Sequence, residues 1–561
     1  MKAFGDRRFA WAALGLALLK LWLVAAQPVF AIGTAMYDDR LFLLLAEHLL
    51  NGQWLGPYSE FTLAKGPMYS LWTAAVFLIG LPLPLANHLL YLLASWLVVR
   101  ALRPLLASDW VALLLFALLW WNPMTYEAPV LGRILRQNVY TPAALLLFAS
   151  LIALETRRGA SARVRIGWGL LGGASFAALW LTREESIWVV PSLLLLLAAV
   201  AWNAWRSPTR LKPLAAPVVA GLAVTTAALV TVCTLNLRHY GWFGTVEFRA
   251  PAFIAAYGAL QRIDSRSRVP RVPVTREARE KAYRVSPAFA ELRPHLEGEI
   301  GRNWAGVSSA FTGRPAEDRE IAGGWFMWAL RGATAAAGHH RSAADALAFY
   351  ERIAEEVNQA CDNGQLAAGP RRDSLMPRWE ARDVRRFWAT LPDFLDYFAR
   401  FRGFSAYTPH SHGTVDDLVL FWDLTRWPSS PSDGAPSYRR PLQERFDAAR
   451  VNVLQGVGKT LRWIYAPVVA GGVLAWLILF VRGLAVRRWS YLWFVSTALL
   501  GASLAVVLIN ALVHVLSFPN QSPGAFAQAY PLAILFGGLA WYELLHSFAE
   551  RRRAAPVPTD S

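Results

Sequence analysis

Cysteine is almost absent: the 561 residues hold two, Cys233 and Cys361. One lies near the end of an apolar run and one in a polar stretch, which excludes a disulfide framework and any paired C-x-x-C zinc pattern. Charge is sparse too, at 17% against 55% hydrophobic residues and a mean hydropathy of +0.30, and this excludes an ordinary soluble enzyme. Acidic residues number 39 against 56 Lys and Arg, a formal charge of +17. No basic stripe interleaved with aromatics accompanies that charge, so it argues for anchoring beside anionic lipid and against nucleic acid. No internal repeat is visible, which removes the inverted-repeat signature of many transporters.

What fills the chain is apolar sequence. Runs of spanning or near-spanning length lie at 9–31, 66–83, 85–102, 107–124, 137–155, 165–182, 186–204, 213–236, 463–481, 489–511 and 526–547, where a helical span needs ~20 residues. If all crossed, the arginines at 157–165 would fall on the side opposite Arg7 and Arg8, against the positive-inside rule. Laying 66–83 along the membrane, or dipping it in as a hairpin, repairs this, and its Gly66, Pro67, Gly80, Pro82 and Pro84 suit a juxtamembrane helix better than a clean span. About ten spans follow, with both termini cytoplasmic alongside Arg100, Arg103, Arg206, Arg210, Lys212 and the later basic groups. The start reads as an uncleaved signal anchor. The expected architecture is an all-α polytopic membrane protein in three parts. A transmembrane module spans 1–236 and carries juxtamembrane helices in a first external loop at 32–84; a mainly helical extracytoplasmic domain spans 237–460; C-terminal transmembrane helices and a tail occupy 461–561.

The residues with chemistry fall on the external face. Asp38 and Asp39 are adjacent carboxylates at a membrane edge, where ionised groups are costly and mark a functional site by default. Asp38 is a candidate general base and Asp39 a group that holds it or an acceptor, and their repulsion is expected to raise one apparent pKa of the pair. The competing reading is N-capping of a helix that begins near Leu41. Lys65 reads as a phosphate contact or as a snorkelling lysine. Arg133, Arg136 and Arg183 lie outside against the charge rule; their guanidinium forks suit a donor phosphate, or else they pair with Glu127, Glu184 or Glu185. Glu127, Glu184, Glu185 and Tyr69 are candidates for orienting acceptor or donor. His410-x-His412 lacks a clear third ligand and reads as a solvated loop, so no metal is expected.

In order, Tyr37-Asp38-Asp39, the stretch through Ala46-Glu47-His48, Gly52-Gln53-Trp54 and Lys65-Gly66-Pro67 resemble the first external loop of the GT-C glycosyltransferases. The group resembled contains protein mannosyltransferases, aminoarabinose transferases and bacterial polyprenyl-phosphate-sugar transferases. The likeness covers roughly the first 240 residues. It departs at Asp39, often Glu in relatives, at Gly66, often Pro, and at Gln528-Ala529-Tyr530, where many relatives carry Arg-Tyr. The resemblance implies inverting transfer of a sugar from a polyprenyl-phosphate donor to an extracytoplasmic glycolipid, glycan or protein, at a bacterial inner membrane and without a cofactor. The alternatives are a transporter or flippase of lipid-linked glycans or small molecules, and a glycan polymerase or ligase. Against transport stand charges placed in external loops instead of mid-span.

Overall fold

A computed structural model describes residues 7–183, 186–205, 212–266, 268–433 and 439–554, so Glu184, Glu185, Arg206 and Arg210 lie outside the described residues. Among the described residues the regular elements are helices, and extended segments meet only at isolated bridges such as Val29 with Ser429 and Ile32 with His412. The protein is all-α and polytopic. Among the described residues, eight helices are long and apolar enough to cross a membrane: Leu83–Leu105, Gln137–Thr156, Ala162–Thr182, Ser186–Trp205, Pro213–Tyr240, Pro441–Val486, Tyr491–Leu516 and Ala529–Ala549.

The opening helices are α1 (Arg7–Val24), α2 (Asp39–Leu50), α3 (Met68–Ile79), α4 (Leu83–Leu102), α5 (Asp109–Trp120), α6 (Gln137–Thr156) and α7 (Ala162–Thr182). The run at 66–83 folds as the 12-residue α3. Pro67 starts it, and Gly80 stops it at φ 86, a left-handed conformation that costs glycine little. At 1.5 Å per residue such a helix is about 18 Å long, short of a bilayer core. The run expected to span at 107–124 also yields only 12 helical residues, α5. The Ser108 hydroxyl caps its start, and beyond Trp120 the chain breaks at Asn122-Pro123, where the Asn122 side chain accepts from the Met124 amide.

Lys20 of α1 explains how α5 ends inside the protein. Its buried ammonium donates to the Trp120 carbonyl at 2.5 Å and the Thr125 hydroxyl at 2.5 Å, and lies 4.1 Å from the Trp120 ring centroid. A cation at a helix C-terminus meets carbonyls that lack intrahelical partners, and the indole face adds to the attraction. Helix α6 is the hub, with 89% of its best apolar window buried. The peripheral Pro213–Tyr240 helix packs on α7 through small residues: a Cβ at Gly169 would sit 2.1 Å from the Pro217 carbonyl oxygen, and one at Gly173 would sit 2.1 Å from that of Gly221.

The stretch expected as one domain at 237–460 divides. Val246 to Cys361 pack their own core around Phe253, Tyr257, Phe326 and Tyr350. Further on, Phe394, Phe398 and Phe401 join the core of the transmembrane helices, packing on Phe526 and Tyr530. Pro441–Val486 is one helix of 46 residues that runs through the expected boundary at 460. Composition turns apolar there, but the helix runs on across 460 with no turn or cap, and only Pro467 further along omits an amide donor, so a change of solvent is no break in the fold.

Both flanks of the segment at 32–84 are clamped. Arg331, fully buried in the insert, donates to the carbonyls of Glu60 at 2.6 Å, Ser59 at 3.3 Å and Thr62, and pairs with Glu247. On the opposite flank Arg40 pairs with Asp417 at 2.7 Å, and Gly33 lies so close to Asp417 that a Cβ there would be 2.4 Å from it.

Candidate active site

Four of the candidate residues meet around one cavity. Asp38, Lys65, Arg136 and Arg183 line a space of about 620 Å³ between the segment at 32–84, the ends of α6 and α7, the helices around Trp304 and Trp328, and the Tyr491–Leu516 helix.

Asp38 occupies the N-cap position of α2, yet its side chain makes no capping hydrogen bond; it pairs with Lys65 instead. The capping reading of Asp38 therefore fails at the side chain. Asp38 is 53% exposed to the cavity while Lys65 is 8% exposed, so the carboxylate faces the open space and the ammonium backs it. Burial alone would raise the Asp38 carboxyl, but Lys65, with Arg136 and Arg133 beyond, outweighs it and holds the group below the usual carboxylate range. Asp38 is thus ionised at neutral pH. Gly66 shows why Lys65 sits where it does: a Cβ there would come within 2.0 Å of the Leu181 carbonyl oxygen, so only glycine lets this turn press against the end of α7. Arg331 fixes the same loop from the far side, three to six residues upstream.

Asp39 faces the other way. It has no exposed surface and takes a two-pronged contact from Arg133, Nε to Oδ1 at 3.1 Å and Nη2 to Oδ2. Burial outweighs Arg133 and pushes its carboxyl up. One member of the acidic pair is raised, as expected; the main cause is burial, with repulsion from Asp38 a smaller contribution. The expectation of Arg133 as a donor-phosphate ligand meets a correction here, because its fork is already engaged and it does not line the Asp38 cavity. Arg133 and Glu127 face a separate space of about 110 Å³ behind the pair.

Glu127 is buried and accepts from the amides of Val130 at 3.0 Å and Leu131 at 2.7 Å, closing the turn before Arg133. Burial pushes its carboxyl up to about 7 against the pull of those amides. It stands outside the Asp38 cavity and so does not orient a molecule bound there. Tyr69 is also misplaced for such a role, since it has no exposed surface and packs edge-on against Phe42 at 5.3 Å. Glu184 and Glu185, the remaining orientation candidates, are outside the described residues.

Arg136 and Arg183 arrive from helix ends. Arg136 stands at the N-cap of α6 and donates to the Thr182 carbonyl at 3.3 Å; Arg183 caps the C-terminus of α7, its guanidinium 5.4 Å from the Tyr140 ring centroid. Because α6 and α7 are packed partners, these two ends place both cations on the cavity wall. The reading of sequence missed the opposite wall. Val506, Ile509, Asn510 and Val513 occupy successive turns of one face of the Tyr491–Leu516 helix, and Asn520, Ser522 and Gln528 follow from the next loop. Gln528 is buried and its side-chain Oε1 has no hydrogen-bond partner among the described residues. The neighbouring Tyr530 is buried among Phe398, Phe401 and Phe526. The cavity therefore offers one ionised carboxylate, three cations, amide groups and an apolar wall.

No protein-family model matches the sequence, and no curated protein matches it. Solved structures align over nearly the whole chain at low similarity. ArnT from Cupriavidus metallidurans in the apo state aligns at 16% identity over 99% of this chain and 82% of that one, with a TM-score of 0.33. The same protein bound to undecaprenyl phosphate aligns at 14% identity over 98% and 80%, with a TM-score of 0.32. The archaeal oligosaccharyltransferase AglB from Archaeoglobus fulgidus, in complex with an inhibitory peptide and a dolichol-phosphate, aligns at 12% identity over 99% and 53%, with a TM-score of 0.41.

Proposed function

We propose that the protein is an inverting membrane glycosyltransferase of GT-C type, taking a sugar from a polyprenyl-phosphate donor to an acceptor on the extracytoplasmic side of a bacterial inner membrane. The observation that carries this reading is the convergence of an ionised, cavity-facing Asp38 with Lys65, Arg136 and Arg183. Such transfer needs a base for the acceptor proton and positive groups where the phosphate departs. The acceptor hydroxyl attacks the anomeric carbon, the bond from that carbon to the phosphate oxygen breaks, and the hydroxyl proton passes to the Asp38 carboxylate. The lipid phosphate leaves with the electron pair, its charge met by the guanidinium groups of Arg136 and Arg183 and the Lys65 ammonium. Arg133 and Asp39 do not touch the reacting atoms in this scheme; they hold the backbone that presents Asp38.

The apolar face of Val506, Ile509 and Val513 suits the first isoprene units of a lipid carrier, and supports the polyprenyl part of the reading. The positive-inside pattern supports a cytoplasmic position for both termini. The experiment is envelope glycolipid and glycoprotein mass spectrometry on cells lacking the protein, rescued with wild type or with Asp38→Asn. Loss of one sugar that only the wild type restores is the expected result. Equal rescue by both would remove Asp38 from the chemistry.

A further inference from the structure

A second cavity, of about 570 Å³, adjoins the first and shares two of its walls, Tyr37 and Trp304. Its construction follows from helix periodicity. Ile300, Asn303, Trp304 and Val307 lie at i, i+3, i+4 and i+7 of the helix Glu299–Thr312 and so form one face. Opposite them the helix Gly323–Ala336 presents Gly332, Ala335 and Ala336, which carry at most a methyl group and leave the space open. Packed interiors fill such a gap with larger side chains. Here Asn303 is exposed, Val307 is 51% exposed, and Trp304 keeps part of its ring accessible while it packs 5.2 Å from Tyr37. Glu60 completes the rim, and among the described residues its carboxylate makes no ion pair.

We propose that this outer cavity seats an uncharged sugar ring of the acceptor, so that the acceptor is a glycan presented by a saccharide without phosphate; this rests on the glycosyltransfer reading above. A pyranose has a face of C–H bonds and an edge of hydroxyls. Trp304 and Tyr37 take the face, and Asn303 and Glu60 take the hydroxyls. Charge separates the two cavities. Lys65, Arg136 and Arg183 all line the inner one, whereas the outer one has no lysine or arginine among its described lining and one carboxylate. An anionic group is therefore drawn inward and turned away outside, which fits a phosphate-bearing donor within and a neutral acceptor without.

The test uses the full-length protein in lipid nanodiscs, titrated with chitotetraose, maltotetraose, glucose 6-phosphate and a Ser/Thr-rich peptide, and read by tryptophan fluorescence and saturation-transfer NMR. At least one neutral tetrasaccharide binds wild type, and binds about tenfold more weakly to Trp304→Ala and to Ala335→Leu, which fills the gap. Asn303→Leu, on an exposed position, gives a smaller loss and guards against a misfolded tryptophan variant. Absence of saccharide binding, binding that ignores all three cavity variants, or a preference for the peptide or the sugar phosphate would each overturn the proposal. Transfer activity in Asp38→Asn, with saccharide binding intact, would instead defeat the assigned base and leave the saccharide seat standing.

Discussion

On the cavity side of the segment at 32–84 Asp38 keeps 53% of its side chain open and has a single ammonium as partner, whereas one residue later Asp39 has no exposed surface and holds both prongs of Arg133. The same functional group is pulled below its ordinary pKa in one place and pushed above it in the other. The difference is one of balance: both carboxylates lose hydration, but Lys65 with the arginines beyond outweighs that loss at Asp38, whereas Arg133 does not at Asp39. Adjacent positions at a helix start point in different directions, so one loop supplies a cavity-facing carboxylate and a buried, anchored one with no residue between them.

The sharpest break of this comparison is in activity. Asp38→Asn is expected to lower transfer by about 10²–10⁴-fold, the usual worth of a general base, with little change in thermal stability. Next comes stability: Asp39→Asn or Arg133→Met leaves a buried charge unpaired and is expected to cost about 3–5 kcal/mol, read by thermal unfolding in detergent. The double replacement Asp39→Leu with Arg133→Met should recover much of that loss, since an apolar pair of similar bulk carries no desolvation cost. Equal loss of stability in the Asp38 and Asp39 variants would erase the distinction.

Glu127 extends the comparison to pH. Its carboxyl titrates near 7 in the folded chain against an ordinary 4.5, so the folded state holds a proton that the unfolded chain has released across that interval. This contribution to stability is complete below about 4.5, declines as pH rises, and is gone above about 7. Unfolding midpoints of Glu127→Gln measured from pH 4.5 to 8 should lack that share of the decline; a variant that follows wild type throughout would place the titration elsewhere. The smallest effect is expected at Tyr69→Phe, where transfer should change less than about twofold, because the ring packs on Phe42 away from the cavity. A tenfold loss would restore Tyr69 to the site.

The sequence made Asp38 and Lys65 legible because the cost of a charge at a membrane edge can be judged one residue at a time. Arg133 was harder. Its carboxylate lies 94 positions away, and a guanidinium fork fits phosphate and carboxylate equally well, so only the fold decides between them. The short α3 was readable from Pro67 and Gly80, which end helices by local geometry. The 12-residue α5 was not, since its apolar run continues through Trp121 and the helix ends at Trp120 before Asn122-Pro123. The outer cavity had a signal in the spacing of Ile300, Asn303, Trp304 and Val307, where a polar residue sits within an apolar face; the small residues opposite it are ordinary helix formers and give no sign of a gap.

Lys20 bears on how the chain is made. Its acceptors, the Trp120 carbonyl and the Thr125 hydroxyl, are synthesised 100 and 105 residues after it. A lysine in the middle of an inserting helix carries a penalty of about 2.5–3.5 kcal/mol on translocon scales. Until α5 has been made, the Lys20 side chain lacks the oxygens that hold it in the folded chain. The polar group that closes the end of α5 is thus carried by the chain for a hundred residues before its partners exist.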